Sequence, residues 1–227
     1  MFYRTSLILS FLVLFSCDSL KQFALKPTHL EVVQALREVL NSSAFRAVSS
    51  LKQIHAEGPE VLLPEEFRPV IGTLRSLGLS GEIDKVTGQI GNASLFVLNE
   101  STALMEDAIR QVDFGDAVAI VTGGRDAATQ VLKNNMYISV KNRYSAMLEE
   151  ELGKTDALRY WPMAVNAYNL FSSNKMNVSL PDFMAEKAVD ILFASMGHQE
   201  VEIRNDYASL GKAVVTKVFD YYTKPPS

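Results

Sequence analysis

The sequence predicts an all-α protein, a single domain of eight or nine helices with mostly antiparallel packing. Three observations carry this reading. Apolar residues recur at helical spacing through most of the chain. The recurrent segments open on Ser, Thr, Asp or Pro and several close on Gly. No stretch shows the apolar/polar alternation of a strand, and there is no fixed-period repeat. A hydrophobic content of 48% and a charged content of 21% are those of a chain that can bury a core. Short connections favour antiparallel neighbours.

Residues 1–16 have the parts of an export signal. Arg4 supplies the positive charge, and Leu7 to Phe15 form an apolar run broken only by Ser10. The run is about ten residues, whereas a membrane span needs about 20. Ser16 is the small residue before a cleavage point, and the only cysteine of the chain, Cys17, follows it. A plain secretory peptide needs no thiol there; lipoprotein processing does, because diacylglycerol is attached to that sulfur. Leu14 at −3 fits the pattern, although Phe15 at −2 is bulkier than usual. A cleaved secretory peptide and an uncleaved anchor are the alternatives. Each buried methylene is worth about 0.8 kcal/mol, and two or more acyl chains anchor stably. Residues 17–27 are then a lipidated tether, 28–222 the helical domain, and 223–227 a disordered tail. With its thiol committed to lipid, the mature chain of about 210 residues has no disulfide to support its core.

Thr28-His29-Leu30-Glu31 is a capping box, with Thr28 as N-cap and Glu31 reaching back. Leu30, Val33, Leu36, Val39 and Leu40 follow at helical spacing, and Gly58-Pro59 ends the stretch. Pro64 starts a second helix carrying Phe67, Val70, Ile71, Leu74 and Leu77, with Gly78 as a left-handed cap. Ser80 opens a longer segment running from Ile83 to Val112, in which Gly88 and Gly91 lower helix propensity. Asp113 and Asp116 bracket a start at Phe114, and Thr122-Gly123-Gly124 is a turn. A long helix begins near Asp126 and reaches Leu152, with Gly153 after it. Thr155 caps the helix that contains Trp161-Pro162. Ser179 and Asp182, with Pro181 between them, start the helix carrying Phe183, Ala188, Ile191 and Leu192. Leu210, Val214, Val218 and Phe219 mark the last one.

The net charge is −4, with no Lys/Arg cluster. That excludes the cation-rich surface on which nucleic-acid affinity depends. His29, His55 and His198 are far apart and lack companion thiols, so neither a metal nor a cofactor is expected. There is no Gly-x-Ser-x-Gly elbow, and no catalytic residue is assigned. Two features stand out. In Thr122-Gly123-Gly124-Arg125-Asp126 two glycines lead into a helix N-terminus, which favours an anion, with Arg125 nearby. The lysine of a P-loop is missing, and Asp126 is itself a natural N-cap for that helix. Asp182, Glu186 and Asp190 recur every four residues, a stripe that serves a cation or an acid/base pair, or else a solvated face. Trp161, Tyr160, Tyr168 and Phe171 read as core rather than pocket lining.

From about Leu30 to Phe219 the chain resembles a bacterial family known only as a domain of unknown function, family 4197. The resemblance rests on Leu63-Pro64-Glu65-Glu66, Leu77-Gly78-Leu79, Phe114 with Asp116-Ala117, and Thr122-Gly123-Gly124 followed by Asp126-Ala127-Ala128-Thr129. Asp182-Phe183, Glu186-Lys187-Ala188, Asp190, Leu192-Phe193, Ile203-Arg204 with Asp206, and Lys217-Val218-Phe219 complete it. It departs at Gly91 to Leu95, where relatives often read Asn-Arg-Ala-Ala-Glu. It departs again at Tyr207 and Leu210, where they carry Pro and Arg. The resemblance implies helical, exported proteins that are often lipoproteins, and implies no reaction.

Two functions are therefore carried forward. One is a non-enzymatic envelope lipoprotein, held through lipid on Cys17 at the periplasmic face of the inner or outer membrane, that binds a protein, lipid or small molecule and no nucleic acid. The other is an envelope enzyme with Asp126, Glu186 or Asp190 as acid/base groups and Arg204 as an anion contact, which requires these side chains to converge in one pocket. Arg125, Asp126, Glu186, Asp190 and Arg204 are thus the candidate ligand-binding residues.

Overall fold

The computed structural model describes residues 26–58, 80–171 and 179–224, with positions 71, 72, 75, 76, 78, 173, 175 and 177 between them. Among the described residues there are seven α-helices, one 3-10 turn and no strand. The helix expected from Pro64 to Leu77 lies largely outside them, so seven helices among the described residues stand against the eight or nine expected for the chain. The signal segment and Cys17 lie outside them as well.

Helix α1 spans His29–Ala56 and opens on the expected capping box: the Glu31 N–H donates to Thr28 Oγ1 at 3.3 Å, and the Thr28 N–H to Glu31 Oε2 at 2.8 Å. Its buried stripe is Val32, Leu36, Val39 and Leu40, continued by Ala44, Ala47, Val48 and Leu51. Leu30, expected on that face, is 73% exposed. It stands two residues from Val32, about 200° around the helix. Helix α2 spans Ser80–Gln111 without interruption at Gly88 or Gly91. Instead of a break, the Gly91 carbonyl lies 2.9 Å from His55 Nε2 of α1.

Helix α3, Ala117–Thr122, starts three residues later than expected. Asp113 Oδ1 accepts the Gly115 N–H at 2.9 Å, and Gly115 takes φ +52°, so Phe114 lies in a turn, buried, before Asp116 caps α3 through the Ala119 N–H. Helix α4 spans Ala127–Gly153, α5 Ala157–Phe171, and α6 Leu180–Asn205. Ser179 caps α6 through the Asp182 N–H. Leu210 does not belong to the last helix. It ends a 3-10 turn, Tyr207–Leu210, and Gly211 at φ +63° separates that turn from α7, Ala213–Thr223.

The core is one cluster. Helices α4 and α6 make the most extensive pairing, α1 packs on both α6 and α2, and α7 closes on α1 and α3. Trp161 of α5 joins the core against Phe183, with ring centroids 5.8 Å apart. Three buried hydroxyls are satisfied, Ser43 by the Val39 carbonyl and Ser101 by the Val97 carbonyl one turn back, and Tyr144 of α4 by Ser101 Oγ of α2 at 2.5 Å, whereas the buried Thr129 Oγ1 has no partner among the described residues.

Candidate functional site

Where α3 ends and α4 begins, the chain turns through Gly123 to Asp126. Gly123 follows the last residue of α3, and a Cβ there would stand 2.7 Å from the Ala119 carbonyl oxygen. Asp126 does not cap α4 with its side chain, contrary to expectation. Its Oδ2 accepts from Gln130 Nε2 at 2.8 Å instead. The first N–H groups of α4 are taken by a residue distant in sequence, Glu200 of α6. Ala128 N–H donates to Glu200 Oε1 at 3.1 Å and Thr129 N–H to Oε2 at 2.7 Å.

The start of α4 rests on α6 at Gly197, where a Cβ would make ordinary van der Waals contact with Asp126, 3.4 Å from its Oδ2 and 3.6 Å from its Cβ. Glu200 then falls beneath the α4 N-terminus, where the helix dipole favours negative charge. The carboxylate is fully buried. One turn further along α6, Arg204 donates from Nε to Glu200 Oε1 at 2.7 Å, from Nη1 to the Val121 carbonyl at 2.8 Å and from Nη2 to the Ile120 carbonyl at 3.1 Å. The pair thus ties the N-terminus of α4 to the C-terminus of α3, each end matched by the charge its dipole prefers. The guanidinium carbon lies 5.4 Å from the Phe219 ring centroid, a cation–π distance. Glu200 was passed over in the sequence. Its signal was a carboxylate on the apolar stripe Val189, Leu192, Met196, Ile203, four residues before an arginine.

Beside this pair lies a cleft of about 390 Å³. Thr122, Gly123 and Arg125 line it from the turn, Arg204 and Asn205 from α6, and Phe219, Tyr222 and Thr223 from α7. Among the described residues no Asp or Glu contributes to its wall. Arg125 is exposed and makes no ion pair among the described residues. A second, smaller cavity of about 60 Å³ lies between α1, α2, α4 and α6. Its lining is mostly aliphatic, with Ser94, Ser101, Tyr144 and Lys187 as its polar members.

The carboxylate stripe of α6 is elsewhere. Asp190 precedes Glu200 by ten residues, roughly 15 Å along the helix axis. Asp182, Glu186 and Asp190 face a matching stripe on α4. Ser145 and Ser179 donate to Asp182 at 2.6 and 2.8 Å, Lys141 lies 3.8 Å from Glu186, and Tyr137 donates to Asp190 at 3.1 Å with Lys133 at 3.8 Å. The Ser145 hydroxyl, then that of Ser179, holds the Asp182 carboxyl below its usual range. Burial, then the Asp190 carboxylate, pushes the Tyr137 phenol up to about 12. The stripe is a polar seam between two packed helices. Among the described residues no three His, Cys, Asp or Glu are grouped so as to hold a metal ion. The structure therefore brings Arg125, Asp126 and Arg204 to one end of the bundle and leaves Glu186 and Asp190 on another face, each with its own partner.

Among the described residues no helix is long and apolar enough to cross a membrane. No curated protein and no solved structure matches the chain. Residues 26–220, from just before α1 through most of α7, match a family described only as proteins of unknown function, DUF4197. The matched range takes in the turn into α4 and the end of α6, which the Glu200–Arg204 pair joins, and the chain belongs to the DUF4197 family.

Proposed function

We propose that this protein is a lipid-anchored component of a bacterial envelope whose helical body works by binding rather than by catalysis. The anchor reading rests on Cys17, the sole cysteine, placed after Ser16 at the end of an apolar run too short to span a bilayer. The binding reading is supported by one geometric observation. The residues that would have formed a carboxylate acid/base site are apart and occupied, Asp126 by Gln130, Glu186 by Lys141 and Asp190 by Tyr137. The open cleft at the end of the bundle carries donors and no acid. Carboxylate acid/base chemistry needs such a group within hydrogen-bond reach of a shared pocket, and the wall of this cleft, among the described residues, offers none.

Membrane fractionation and intact mass of the Cys17→Ala variant test the anchor. The variant should leave the membrane fraction or remain unprocessed, while the parent carries the mass of its acyl chains. Unchanged retention and unchanged mass would sink the lipoprotein reading. For the body, extraction from the native membrane in mild detergent followed by mass spectrometry should return a reproducible companion. Turnover by the purified protein that is abolished at Asp126, Glu186 or Asp190 would overturn the binding reading.

A further inference from the structure

We infer that the cleft between the α3–α4 turn, the end of α6 and α7 binds a phosphate group. This deepens the reading of the body as a binding domain and rests on it.

The helix N-terminus is not the site. Its N–H groups are already filled by Glu200, so whatever enters the cleft must be held by side chains. Those side chains are donors. Arg204 has a side chain only 10% exposed and is fixed by three hydrogen bonds, one from each guanidinium nitrogen. A guanidinium carries five N–H groups, so two are left, one on each terminal nitrogen, with no protein acceptor. Arg125 contributes a whole guanidinium without an ion pair among the described residues, and Asn205 and Tyr222 add an amide and a phenol without a hydrogen-bond partner there. The two threonine hydroxyls of the wall have given their protons away, Thr122 to the Val118 carbonyl at 3.0 Å and Thr223 to the Phe219 carbonyl at 2.7 Å.

The electrostatics point the same way. The charge of Arg204 is balanced by Glu200 at 2.7 Å, which leaves the Arg125 charge uncompensated at a wall without carboxylates. An anion is therefore the complementary ligand. The donors come from three separate elements and so from different sides. A planar carboxylate presents two oxygens in one plane, which suits a coplanar set of donors. A tetrahedral phosphate ester presents three oxygens and about −1.5 to −2 charges at neutral pH. Arginine is the side chain best matched to such oxygens. The cleft volume, about 390 Å³, lies within the range of small-molecule sites. The phosphate could belong to a soluble ester or to a lipid headgroup; the recognition is the same.

The test uses the full lipidated protein in a neutral detergent, titrated with inorganic phosphate by isothermal calorimetry. Saturable binding of one phosphate per chain is expected. Arg125→Gln should weaken it at least about 10-fold, the scale of one lost charge-assisted contact, with an unchanged melting temperature because Arg125 holds nothing in the fold. Tyr222→Phe should weaken it a few-fold. Absence of saturable binding up to about 10 mM phosphate, a concentration at which affinity is negligible, overturns the proposal. So does binding that Arg125→Gln leaves unchanged, or acetate competing as well as phosphate. Displacement by phosphatidic acid added to the micelles, but not by phosphatidylcholine, assigns the group to a lipid headgroup; no displacement assigns it to a soluble phosphate compound, and either result upholds the site. Lost phosphate binding with Cys17-dependent membrane retention intact would remove the ligand assignment and leave the anchor standing.

Discussion

Glu200→Ala removes a buried carboxylate that three donors use: the Ala128 and Thr129 N–H groups at 3.1 and 2.7 Å and Arg204 Nε at 2.7 Å. None of the three gains water easily. Glu200 is fully buried, and the Arg204 side chain is only 10% exposed. Breaking a buried pair by deleting one partner costs about 3–5 kcal/mol, because the other charge is left uncompensated. Two helix-end N–H groups are orphaned at the same time, which places the variant toward the upper part of that range. Glu200→Gln keeps the shape but offers one oxygen where both carboxylate oxygens are used, so its amide must face a donor. Losing a hydrogen bond to a charged group costs about 1.5–3 kcal/mol. For a domain of this length each kcal/mol lowers the melting temperature by about 2–4 °C, so Glu200→Ala should melt about 6–20 °C below the parent. A double-mutant cycle with Arg204→Ala, followed by urea or thermal unfolding, is the assay. The double variant should cost clearly less than the sum of the singles, because each single includes the penalty of stranding the other charge. Single variants within about 0.5 kcal/mol of the parent, the range of ordinary surface changes, or strictly additive ones, would refute the account of Glu200 and Arg204 as the tie between α3 and α4.

Gly123→Ala would place a Cβ 2.7 Å from the Ala119 carbonyl oxygen, which is backbone and cannot swing aside; a loss of about 1–3 kcal/mol is expected in a urea titration, and a neutral result would mean that the turn relaxes. Hydrogen bonding from Lys217 at 2.6 Å, then from the Thr28 N–H, lowers the Glu31 carboxyl from 4.5 to about 2. Its contribution to stability is present above about pH 4.5 and is lost as pH falls toward 2, so Lys217→Met should flatten the acid limb of a stability–pH curve over that window. Burial raises the Tyr144 phenol from 10.0 to about 12. The stability it supplies is complete below pH 10 and lost as pH rises toward 12, so tyrosinate absorbance from Tyr144 should appear only with unfolding, and Tyr144→Phe should shift that alkaline limb while costing about 0.5–1.5 kcal/mol at neutral pH.

What the sequence by itself determined is local. Thr28 with Glu31 and Ser179 with Asp182 are caps written within four residues, and both stand where the spacing puts them. The helical periodicity, the all-α class and the family match were legible for the same reason, since a helix face is a property of consecutive residues. Where a start could be closed in two ways, local reading lost resolution. Asp113 and Asp116 both cap well, and only the turn at Gly115 decides that α3 begins at Ala117.

The candidate site belongs to the other category. Asp126 is the natural local cap of α4, yet the helix is capped from 71 and 72 residues away, because the packing of α6 on α4 brings a carboxylate with a fixed positive partner to the same N–H groups. The stripe of Asp182, Glu186 and Asp190 was visible, but whether it formed a site or a seam depended on Lys133, Tyr137, Lys141 and Ser145 of α4 facing it. Arg125 and Arg204, separated by all of α4 and α5 and most of α6, meet at one cleft only after the helices pack. Caps and periodicity are encoded by neighbours in the chain; which charges are neutralised, and which donors stay free for a ligand, was decided by tertiary contacts that no short window of sequence contains.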